Sequence, residues 1–183
     1  LIDRGLDSEK RLSLLDKKWF FSVLGDHEKL LLEINSSKLY LSELWYQNES
    51  KWWQYLENEL KTKYFNLASK LPLSISVETN FENIGMVHTD YPSYSRPPPE
   101  DCQNYIKRIL WGRNNINISN IGFTISEHTP LESPKINGSR IFLDTGEGYY
   151  SNNNINDYKP TLYKFSKDFT HIYNYRNFKL THS

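Results

Sequence analysis

The chain has 183 residues, with 22 Lys+Arg against 22 Asp+Glu and a formal net charge of zero. That balance argues against a protein that grips nucleic acid through a basic excess, and no apolar run approaches the roughly 20 residues that span a bilayer. One cysteine, Cys102, excludes an internal disulfide and multi-cysteine zinc; with the polar start Leu1-Ile2-Asp3-Arg4, which has no signal-peptide pattern, this points to the cytoplasm.

The first seventy residues read as helical. Residues 28–34 are apolar with flanking Glu and Lys, and Leu39, Leu41, Leu44 and Trp45 lead to Ser50, a residue suited to a helix N-cap. From there Trp53, Leu56, Leu60 and Tyr64 recur at three and four residues, predicting an amphipathic helix of about four turns that stops near Leu71-Pro72. Beyond Pro72 the texture changes to short β-branched and aromatic runs, at 73–80, 85–91, 105–112, 121–126, 139–144, 161–166 and 169–181, separated by Asn, Pro, Gly and Ser clusters. Pro97-Pro98-Pro99 reads as a stiff extended segment, and 146–157 as a surface loop. Strands after a helical block predict a single domain over 1–183, mainly β with N-terminal helices (α+β): a helical buttress at 1–72 and a sandwich or barrel at 73–183.

The most concrete chemistry lies in Met86-Val87-His88-Thr89-Asp90-Tyr91. On a strand, positions i and i+2 share a face, so His88 and Asp90 can grip one cation together. His171, after the run Thr161–Ser166, supplies a second imidazole. His128, in Glu127-His128-Thr129-Pro130, competes for that place; strand context favours His171. Two imidazoles and a carboxylate suit Fe(II) in a facial triad with open positions. Tyr91, Tyr94 and Tyr105 are candidates to line a substrate pocket, against an ordinary core reading, and Arg96 and Arg113 to meet an anionic substrate, against a reading as solvated loop charges. His27 and His182 read as surface histidines. Asp144-Thr145-Gly146 matches the aspartic-protease triplet, but without a second copy it reads as a turn.

The stretch Val87-His88-Thr89-Asp90-Tyr91-Pro92 resembles the first metal-binding strand of the 2-oxoglutarate/Fe(II)-dependent dioxygenases (prolyl/aspartyl hydroxylase-like), and 160–171 is similar to the strand, turn and distal histidine near that family's C-terminal end. The resemblance implies a double-stranded β-helix, a jelly-roll or cupin-like barrel. It also implies Fe(II) on His88, Asp90 and His171, and 2-oxoglutarate as co-substrate with its carboxylate on Arg176 or Lys179. Arg would hold that carboxylate bidentately, Lys as a point charge. The function so implied is hydroxylation of an amino acid, small metabolite or peptidyl side chain; the rival expectation is a non-enzymatic jelly-roll binding protein.

Overall fold

The computed structural model describes residues 1–3, 7–34, 45, 51–78, 82–90, 102–113, 122–145, 161–163 and 172–174. Five helices fall within them: α1 (Ser8–Ser13), α2 (Asp26–Ile34), α3 (Lys51–Gln54), α4 (Asn58–Ala68) and α5 (Cys102–Trp111), with a 3-10 turn at Leu14–Asp16. The strands are β1 (Ser74–Glu78), β2 (Asn83–Val87), β3 (Phe123–Ser126), β4 (Lys135–Asn137), β5 (Arg140–Phe142), β6 (Thr161–Tyr163) and β7 (Ile172–Asn174). Among the described residues no helix is long and apolar enough to cross a membrane.

The first five strands form one open sheet in the order β1-β2-β3-β5-β4, and β6 pairs antiparallel with β7. β2, β3 and β5 run parallel, while β1 and β4 are antiparallel edges. This corrects the expected double-stranded β-helix: the sheet is mixed and open, with helices beside it. The physical reason lies at 105–112, which was expected to be a strand. Tyr105, Ile106, Ile109 and Leu110 recur at helical spacing, and the segment is α5, packing Ile109 and Leu110 against Val87 and Leu24. A helix between β2 and β3 is what allows those strands to lie parallel, since parallel neighbours need a crossover connection.

The expected four-turn helix is broken. It starts at Lys51, pauses at 55–57 and resumes at Asn58. Tyr64 and Ala68 of α4 pack with Leu12 of α1, Leu31 of α2, Trp45 and Ile2 in the first core cluster. Trp45, Trp52 and Trp53 stack edge to face, with centroids 5.5–6.4 Å apart, the arrangement aromatic quadrupoles prefer. This helical core carries the chain start and α2; the second core, under α5, carries the ends of β2. The site lies where the two meet.

Candidate metal centre

Parallel strands gather their C-terminal ends along one edge, and ligand sites in open α/β sheets form in the crevice beyond that edge. β2 ends at Val87 and delivers His88; β3 ends at Ser126 and delivers His128; β5 ends at Phe142 and delivers Asp144. These residues line a cavity of about 460 Å³, together with Asp3, Asp26, His27 and Glu28 from the helical side.

Three donor atoms converge in it. Asp26, His88 and His128 each offer one ligand atom, all within 4.8 Å of one another. His88 Nε2 lies 3.0 Å from Asp26 Oδ1 and 3.2 Å from His128 Nδ1, and His128 Nδ1 lies 3.6 Å from Asp26 Oδ2. Two imidazole nitrogens facing each other across 3.2 Å repel unless a proton or a cation sits between them. A divalent cation fits this nitrogen–nitrogen–oxygen set by donor chemistry, and three protein ligands leave coordination positions open.

The sequence builds this geometry through a run of four residues, Gly25-Asp26-His27-Glu28, at the start of α2. Glu28 is buried, its carboxylate accepting from the Leu1 amino nitrogen (2.7 Å), Ile2 N–H (2.9 Å) and Gly25 N–H (3.1 Å). It thereby ties the chain start to the helix. Gly25 is required by close approach: a Cβ there would sit 2.7 Å from Glu28 Oε2 and 3.5 Å from the His88 ring.

Beside the cluster, His27 Nδ1 lies 2.7 Å from Asp3 Oδ2. Asp3 is fully enclosed and also accepts from Trp45 Nε1 (2.6 Å) and Trp52 Nε1 (2.8 Å). Asp3 (φ 63°) and His128 (φ 81°) are the positive-φ non-glycine residues among those described, and both line this cavity. Left-handed backbone at such residues costs about 1–3 kcal/mol each and clusters where function over-determines the geometry.

Burial works to raise the Asp26 pKa, but the His88 hydrogen bond and the charges of His88, His27 and His128 bring it from the ordinary 3.8 to about 2. Because the folded value is the lower one, the metal-free protein gains stability above pH 3.8 and loses it as pH falls through about 2. That contribution is on the order of 2 kcal/mol. In acid denaturation from about pH 4 to 2, the wild type should therefore lose stability more steeply than Asp26→Asn. Parallel curves would show that Asp26 is not held by these histidines.

Of the residues singled out from sequence, His88 is in the cluster and His128 stands with it. Asp90 is not: its Oδ1 accepts from Arg140 Nη2 at 3.2 Å, in a different cavity. The i, i+2 argument needed a strand through 88–90, whereas β2 ends at Val87 and the chain bends at His88 and Thr89. His171, Arg176, Lys179, Tyr91, Tyr94 and Arg96 lie outside the described residues. Sequence patterning does not single out Asp26, Glu28 or Asp3, and it reads His27 as a surface residue, whereas all four line this cavity. The available signal was the apolar run Trp19–Leu24 closing on glycine and then two acids and a histidine in three positions.

No family model matches the chain. It is similar to serine/threonine-protein phosphatase 1 of Salmonella typhimurium, 29% identical over 154 residues, which span 80% of this chain and 69% of that protein. Serine/threonine-protein phosphatase 2 of the same organism is 27% identical over 162 residues (79% and 70%), and the phosphatase 2 of Escherichia coli 24% over 157 residues (79% and 70%). These likenesses overturn the dioxygenase resemblance and what it implied: the hydroxylase activity and the pairing of Fe(II) with 2-oxoglutarate. The resemblance rested on two short motifs; the likeness to the phosphatases covers about four-fifths of the chain. The rival jelly-roll binding protein falls with the barrel itself.

Proposed function

We propose that this chain is a metal-dependent phosphoester hydrolase acting on phosphorylated serine or threonine side chains of proteins. The observation that carries the reading is the convergence of Asp26, His88 and His128 on one point. The likeness to the three phosphatases gives that centre its chemistry.

A divalent cation held by Asp26, His88 and His128 would polarise a phosphoryl oxygen and acidify water at neutral pH. The remaining work belongs to the chain. Asp3, enclosed, commits His27 Nδ1 to a hydrogen bond and fixes the imidazole tautomer, leaving Nε2 as the atom that exchanges protons. In the same cavity, His27 is placed to hand a proton to the departing serine or threonine oxygen. Glu28 acts only by position, joining the backbone of Ile2, beside Asp3, to that of Gly25, beside Asp26. A chain with one cysteine suits the reducing cytoplasm, where we place it.

Protein stripped with a chelator and reloaded with Mn2+ should release orthophosphate from a phosphoserine peptide and from p-nitrophenyl phosphate, in proportion to bound metal. Protein that takes up Mn2+ and releases phosphate from neither would refute the assignment.

A further inference from the structure

Behind the metal centre lies a second cavity, of about 200 Å³, which the chemistry above does not use. Strand register places it on the other face of the sheet. Thr124 pairs with Arg140 and Ser126 with Phe142, so Ser126, Arg140 and Phe142 share one face. Met86 and Ile125, which pair in register and line the metal cavity, share the opposite face. Both cavities open at the C-terminal ends of the same strands, and Ser126 and Glu127 line both. The two imidazole ligands have their chain neighbours here: Thr89 and Asp90 follow His88, and Glu127 and Thr129 flank His128. The left-handed backbone at His128 is where the chain turns between the two.

The lining is biased towards cations in a chain whose total charge is zero. Its floor is the buried pair of Arg140 and Asp90, 3.2 Å apart and mutually neutralising. Arg140 is held further by the Thr89 carbonyl (3.0 Å) and by Phe142, whose ring centroid lies 4.9 Å from the guanidinium carbon. At the rim stand Arg113 and Lys135, both exposed, against the single carboxylate of Glu127. The volume is below the roughly 300–1,000 Å³ of sites that enclose a whole small-molecule ligand, and it equals that of about seven waters. It suits one anionic side group of a larger molecule.

We propose that this cavity is a subsite for a second anionic group of the substrate, a carboxylate or a second phosphate two or three residues from the phosphorylated side chain. The inference rests on the phosphatase reading for the identity of that substrate. Ser126 and Glu127 line both cavities, so the two adjoin at the strand ends, and a peptide crossing that edge at about 3.5 Å per residue reaches from one into the other within a few residues. Lys135, on the β4 edge, meets the anion as an ammonium.

The test uses Mn2+-loaded protein and three phosphoserine peptides with alanine, glutamate or a second phosphoserine three residues from the scissile group. The wild type should favour at least one anionic peptide about tenfold in kcat/KM, chiefly through KM, and Lys135→Glu should abolish or invert the preference. Whichever anion is favoured identifies the natural group. Equal rates for all three peptides, or a preference unchanged in Lys135→Glu, would overturn the subsite. Tryptophan-fluorescence titration of metal-free protein with the same peptides repeats the comparison without turnover. A binding preference lost in Lys135→Glu supports the subsite even if no peptide is hydrolysed, in which case only the phosphatase reading falls. Equal binding overturns it even if all are hydrolysed.

Discussion

His88→Ala should cost the protein its tight metal binding and with it nearly all phosphate release. His88 Nε2 is the atom nearest to both other donors, 3.0 Å from Asp26 and 3.2 Å from His128. Without it, two ligands remain, on different structural units: Asp26 on α2 and His128 beyond β3. Groups that merely orient a metal ligand contribute about 10–100-fold to affinity, so loss of the ligand itself should exceed that, read as a rise in Kd for Mn2+ by calorimetry. Turnover at saturating peptide should fall by about three orders of magnitude or more, the scale on which Lewis-acid stabilisation of several kcal/mol acts. The metal-free protein should also melt lower, because the His88 hydrogen bond is the leading interaction that holds the Asp26 carboxylate ionised. Unchanged affinity would mean that the cation is held elsewhere.

Asp3→Ala should be among the most destabilising substitutions in the chain. It removes one enclosed carboxylate and strands three donors at once: two indole N–H groups, from Trp45 and Trp52, and His27 Nδ1. Breaking a buried charge network from one side costs about 3–5 kcal/mol, measurable as a lower denaturation midpoint at unchanged slope. Asp3→Asn separates stability from chemistry. It keeps the shape and an accepting oxygen, so it should lose less stability. An amide cannot stabilise a protonated imidazole as a carboxylate does, so kcat should drop about 100-fold, the lower end of general acid–base contributions, with KM little changed. A variant folded like the wild type with unaltered kcat would remove His27 from the chemistry.

Of the three clustered donors, His88 was singled out from sequence and His128 was the weighed alternative; Asp26 was not legible. His88 stood out because histidine and aspartate end a strand together, and a set of two imidazoles and one carboxylate was the expectation. The carboxylate that joins His88 is Asp26, 62 positions away. Spacing rules reach only along one element, and the meeting of α2 with β2 is set by tertiary packing through Leu24 and Val87. Asp90 misled because the period-2 rule was extended past the point where β2 ends. The sheet's positions were mostly readable from β-branched runs, but its direction was not. Parallel pairing followed from α5, whose Tyr105, Ile106, Ile109 and Leu110 also satisfy a short apolar strand, an ambiguity that periodicity alone does not resolve. His128 lost to His171 on strand context. In the fold it is presented by a left-handed residue in a loop, a conformation that sequence patterning does not announce.

The most direct measurement is pulsed EPR of Mn2+ bound to chelator-stripped protein. The account predicts electron–nuclear coupling from two imidazole nitrogens, those of His88 and His128, reduced to one in His128→Ala, with binding greatly weakened in Asp26→Ala. Nitrogen coupling that is absent, or that persists unchanged in His128→Ala, would contradict a cation held by Asp26, His88 and His128.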